Sequence, residues 1–189
     1  MISDEQKEKS KNMIKQLIQD GKIVKPKANV KNFFLNKSMT SLEISKRLLD
    51  ISDDEDDSLE GYMWVINSAY YSMFFAATSL LAHYNHKIDQ EQGIHKLTFH
   101  ALVYYFLVDD NKLEKYFIEE YEDAYEDAEQ LLQTSQDKAN ELVKNLDFER
   151  EKRTKFTYEI GKVAEKNKAQ TSVKRADEFL LEIRKIIKR

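Results

Sequence analysis

The densest group of side chains able to do chemistry lies between Phe148 and Tyr158. There Arg150, Lys152, Arg153 and Lys155 alternate with Phe148, Phe156 and Tyr158. Cations interleaved with aromatic rings suit a phosphate-bearing ligand, because the cations neutralise phosphate while the rings stack on a base. The same cations stand beside Glu149, Glu151 and Glu159, so pairing along a solvated helix is the competing account of the run. His83 and His86 are three apart, a spacing that puts two ligands on one helical face. No carboxylate motif accompanies them, and a helix C-terminus favours histidine in any case, so no metal site is expected. His95 and His100 are five apart and point in different directions on a helix, and spacing gives neither a role. The chain has no cysteine, which excludes disulfides, thiolate metal sites and cysteine nucleophiles. Gly-rich phosphate loops, His-Glu-x-x-His helices and Gly-x-Ser-x-Gly elbows are also missing, and no cofactor is expected.

Helices must position these residues. Four glycines and one proline in 189 residues leave few helix breakers, and no alternating strand pattern appears, so the sequence predicts an all-α, up-and-down helical bundle of about six to seven helices. The chain is organised around Gly61–His86, which contains no Lys, Arg, Asp or Glu although such residues make up 34% of the protein. Its apolar positions recur three or four apart, while Trp64, Tyr71 and Phe75 occupy other faces, so the helix must be buried on several sides. Its length would cross a membrane. The interior Asn67, Ser72 and Ser79, and the acidic rather than basic run Asp53–Asp57 in front of it, argue for a protein core and against a membrane partner.

Residues 1–27 read as an N-terminal helix with a linker around Pro26, and residues 28–189 as the bundle. Ser3 and Gln6 have capping-box spacing, and Gly21 suits a helix stop. In the second helix Val30, Phe33, Phe34 and Leu42 are expected inward, with Ser38, Ser41 and Ser45 admitting a close neighbour. The long fifth helix carries a heptad-like seam that includes Phe117, Tyr121, Ala124 and Ala128. Opposite it, Glu119–Glu129 holds seven acidic residues and no basic one, a solvated face or a surface for a basic partner. Gly161 is expected to break the chain before a last helix that starts near Thr171 or Ser172. Charge is uneven: residues 149–189 hold 13 Lys and Arg against 7 Asp and Glu, a basic balance able to attract phosphate. The N-terminus is charged and has no apolar run, which points to a cytoplasmic protein.

Taken together, several stretches resemble the HEPN superfamily, the higher eukaryotes and prokaryotes nucleotide-binding domain. SAYYSMFFAATSLL (Ser68–Leu81) is similar to its signature helix and IHKLTFHALVYYFL (Ile94–Leu107) to the following helix of prokaryotic and archaeal members. Arg153–Tyr158 and SVKRADEFLLEIRKII (Ser172–Ile187) resemble the closing helices. The resemblance implies a homodimer that brings two active motifs into one cleft, RNA or nucleotide as ligand, and a small nucleotidyltransferase as partner protein. It also implies a place in a toxin–antitoxin or defence-type system. Many members are metal-independent ribonucleases whose motif places a His four to six residues after an Arg. Here Arg150 or Arg153 matches the Arg, yet neither is followed by His, and five residues after Arg153 stands Tyr158. A phenol with an ordinary pKa near ~10 is a poor base at neutral pH, and losing a general acid–base group removes about 10²–10⁴-fold of rate. The leading expectation is therefore a regulatory binding module in which Arg150, Lys152, Arg153 and Lys155 hold phosphate. Two alternatives stay open: a ribonuclease using Arg153 and Tyr158, and a purely structural assembly protein.

Overall fold

The computed structural model describes residues 2–54, 61–109, 113–145 and 155–188, with side chains up to 108 before the fifth helix, from 113 to 133 within it and from 165 in the last helix. Helix α1 spans Asp4–Gln19, β1 Ile23–Val24, α2 Val30–Asp53 and α3 Tyr62–His83. Strand β2 is Lys87–Ile88, and α4 (Ile94–Leu102) runs into a π-helical turn, Val103–Asp109. Two long helices close the chain, α5 (Lys115–Asn145) and α6 (Lys155–Lys188). The architecture is an all-α bundle.

Helix α3 is its axis, as its lack of charge requires. Val65, Ala69, Met73, Ala76, Ala77 and Leu80 are wholly buried, and α3 packs against α2 on one side and α6 on another. Among the described residues it is the one helix long and apolar enough to cross a membrane, and 78% of its most apolar window is buried within the protein.

Serines hold α2 against α3. Ser38 and Ser72 each donate to the other's backbone carbonyl (2.8 and 2.9 Å), Ser45 donates to Val65 O (2.9 Å) and Ser79 to Lys31 O (2.9 Å). A serine is small enough for the backbones to approach, and its hydroxyl is then satisfied rather than stranded. Phe33 departs from its inward expectation: it is 55% exposed, with Lys37 Nζ 5.5 Å above its ring. The serine stripe fixes which face of α2 meets α3, and Phe33 falls off that face.

The N-terminal helix begins as its sequence dictates. Ser3 and Gln6 form the reciprocal capping box (3.0 and 3.1 Å), and Gly21 adopts a left-handed φ of 68° just past the end. Ile14 and Leu17 enter the same core cluster as α3. The segment expected as a linker contributes β1, which pairs antiparallel with β2 (Ile23 with Ile88, Val24 with Lys87), although no strand pattern is visible in the sequence. Two residues are too few for alternation to show. Gly161 does not break the chain, since α6 is continuous from Lys155. One interior glycine costs about 1 kcal/mol, too little to end a helix flanked by good helix formers.

The acidic face of α5 is largely engaged within the protein. On one edge Glu119 accepts from the Ile2 backbone N–H (2.7 Å) and Glu122 from the Gln6 amide (3.1 Å), which seats α1. On the other edge Glu120, Asp123 and Asp127 surround Arg175 of α6, a side chain only 13% exposed. Five of the seven carboxylates thus meet two neighbouring helices, while Glu126 and Glu129 stay exposed, as the sequence reads them.

Candidate functional site

Between α3, α4 and α5 lies a cleft of about 280 Å³. Helix α3 supplies Asn67, Tyr70 and Tyr71, the first turn of α4 supplies His95 and Lys96, and α5 supplies Tyr125, Glu129 and Leu132. Gly93 makes the entry into α4 possible by adopting φ 71° directly before the helix, where any side chain would be strained. On α5, Tyr121 and Tyr125 are one turn apart, so one ring fills the core and the next forms the cleft wall.

Tyr70 Oη lies 2.6 Å from His95 Nδ1, and Tyr121 Oη donates to the His95 carbonyl at 3.3 Å. Burial, reinforced by neighbouring tyrosines, pushes the Tyr70 phenol far above its ordinary value, so it keeps its proton. Half-burial holds His95 below the ordinary histidine value, with Glu129 opposing weakly, so the imidazole is neutral at pH 7. With Nδ1 engaged, Nε2 is the ring nitrogen left for a bound molecule. Tyr125 donates to Glu129 (2.8 Å), and burial together with that carboxylate pushes its phenol up to about 12. Asn67 spends its amide nitrogen on Met63 O (3.1 Å), which leaves its carbonyl oxygen to accept. The cleft therefore offers aromatic walls, a neutral imidazole, an amide acceptor and one charge of each sign.

The aromatic surface continues beyond the cleft. From Tyr125 the ring-to-ring path runs through His95 (6.4 Å), Tyr71 (5.7 Å), Phe75 (5.8 Å), Phe34 (5.9 Å) and Phe33 (5.2 Å). It reaches solvent at Tyr71, 42% exposed, and at Phe33 beside Lys37. Neither protein-family models, nor curated proteins, nor solved structures match the chain. The site rests on its own geometry.

Of the residues singled out in the sequence, Arg150, Lys152 and Arg153 lie outside the described residues. Lys155 and Tyr158 fall in the opening turn of α6, and their side chains lie outside the described ones. His83 stands edge-on to Tyr84, whereas His86 stacks on Tyr105 at 3.9 Å. Sequence reasoning missed Tyr70, His95, Tyr125 and Glu129 as a set. The one local signal was the Tyr121–Tyr125 repeat, and it takes the fold to bring that repeat to a histidine 30 residues earlier.

Proposed function

We propose that this chain is a dimeric HEPN-like module that binds RNA or nucleotide, acting as a regulatory element of a toxin–antitoxin or defence-type system in the cytoplasm with a nucleotidyltransferase as partner. One observation carries the reading: an unbroken series of aromatic rings leads from exposed Phe33 into a cleft that holds a neutral histidine. Successive bases of a single strand stack on such a surface, and stacking tolerates any sequence because every base has a π-face. Lys37 and Lys96 flank the path, and Arg150, Lys152, Arg153 and Lys155 would supply the remaining phosphate contacts.

Fluorescence anisotropy with a labelled single-stranded RNA tests the proposal. Affinity should fall with rising salt, as phosphate neutralisation requires, and should drop in Tyr71→Ala and again in Arg150→Ala/Arg153→Ala. RNA binding unchanged by all three substitutions would rule the reading out.

Cleavage is the second reading, with one observation in its favour. The histidine missing after Arg153 has a counterpart in His95, which is neutral and, with its proton on Nδ1 facing Tyr70 Oη, would present the Nε2 lone pair that a general base needs near pH 7. Metal-independent RNA cleavage lost in both Arg153→Ala and His95→Ala would establish the enzyme. Cleavage lost only in Arg153→Ala and Tyr158→Phe would place the chemistry at the basic run.

A further inference from the structure

Phe74, whose ring packs on His95 at 4.3 Å, also lines a separate cavity of about 130 Å³. Phe34, Phe74, Leu81 and Ile88 form its apolar walls, and Thr78, Thr98 and His86, an imidazole whose burial lowers its pKa and keeps it neutral, are its uncharged polar members. A dry apolar cavity of roughly this size accommodates a molecule as large as benzene. The two threonines, on facing helices, favour one kind of polar group over another. Thr78 Oγ1 donates to Phe74 O (2.9 Å) and Thr98 Oγ1 to Ile94 O (2.8 Å). Each hydroxyl has a single proton, already committed, so each has only lone pairs to offer. A ligand atom facing them must be a donor, and a carboxylate facing them would be repelled. The cation at the cavity, Lys87, is paired with Asp89 at 2.7 Å and has 40% of its side chain in solvent, so its charge is largely neutralised and hydrated.

We infer that this cavity is a binding site for a small, neutral, single-ring aromatic molecule bearing one O–H or N–H donor, a ligand of the phenol class. The ring fills the space between Phe34, Phe74 and Leu81, and its donor is accepted by a threonine hydroxyl. The site shares Phe34 with the aromatic path, and its walls come from α2, α3, β2 and α4.

Calorimetric titration of the full chain with phenol, toluene and benzoate tests the inference. Phenol should bind saturably with one site per chain, roughly tenfold tighter than toluene, the difference one hydrogen bond supplies. Benzoate should bind more weakly than phenol. Thr78→Val/Thr98→Val should erase the preference for phenol while toluene binding persists. Ile88→Phe, which fills the cavity from its half-buried edge, should abolish both, with circular dichroism confirming helicity. Non-saturable phenol binding, equal affinity for toluene, stronger benzoate binding, or phenol binding that survives Ile88→Phe would each overturn the assignment.

Discussion

Helix α4 carries two histidines five residues apart, and the two sides of the molecule that they meet are built on opposite plans. His95 faces the cleft, held at Nδ1 by Tyr70 and free at Nε2. His100 faces α1 and is sealed. Its Nδ1 lies 2.9 Å from Ser10 Oγ, and Ser10 donates its own proton to Gln6 O (2.8 Å), so the imidazole must be the donor. That fixes the tautomer and leaves Nε2 a buried lone pair without a partner. Both imidazoles are neutral at pH 7 and burial is the leading cause in both. Protonation state does not separate a functional histidine from a structural one here. What separates them is whether the second nitrogen has somewhere to point.

The largest expected effect is acid sensitivity of the sealed side. Burial, with Lys9 and Lys96 adding to it, pushes His100 down to about 4. Unfolded, it titrates near ~6.5, so between those values the unfolded chain binds a proton that the folded chain refuses. Stability is then complete above about pH 6.5 and falls as the pH drops towards 4, by about 3 kcal/mol in all. In urea unfolding from pH 7 to pH 4, the difference between wild type and His100→Leu should change by that amount, other groups cancelling in the comparison. A difference independent of pH would mean that His100 is not sealed.

On the open side the main effect is on binding rather than on folding. Tyr71→Ala and Tyr125→Leu should each weaken single-stranded RNA binding about tenfold, within the ~1–3 kcal/mol that one base–aromatic stack supplies. Thermal unfolding of Tyr71→Ala should coincide with that of wild type, since the ring is substantially exposed. A large fall in melting temperature would make Tyr71 part of the core and erase the contrast.

Smaller still is the cap that starts α1. Ser3→Ala should cost about 1 kcal/mol. Hydrogen exchange should locate the loss in α1 and around His100, leaving amides near His95 unchanged. The smallest effect concerns the cleft wall: Tyr125→Phe removes a single bond to Glu129 and should cost about 0.5–1 kcal/mol, read from urea midpoints.

The long elements were legible because their causes are local. The absence of charge in 61–86 marks α3, the Ser3–Gln6 pair marks the start of α1, and Ser38 and Ser45 mark a close neighbour. Phe33 was misplaced because a run of apolar residues on α2 does not reveal which edge the serines claim. The acidic face of α5 was only partly legible for a related reason. Charge alone cannot show that Arg175, some 50 residues away, returns to sit among Glu120, Asp123 and Asp127. The cleft was the least legible feature, since Tyr70, His95 and Tyr125 come from three helices and no local spacing joins them.

The serine hydroxyls between α2 and α3 have a mechanical consequence. Sliding one helix past the other by a turn, about 5.4 Å, would strip Ser38, Ser45, Ser72 and Ser79 of their acceptors together. Each loss costs about 1 kcal/mol or more, so translation is barred in a single step of roughly 4 kcal/mol. The pair behaves as a chassis. Any breathing that admits a ligand to the cleft must come from α4 and α5 swinging against it, and spin labels on α2 and α3 should keep a fixed separation while labels on α3 and α5 broaden.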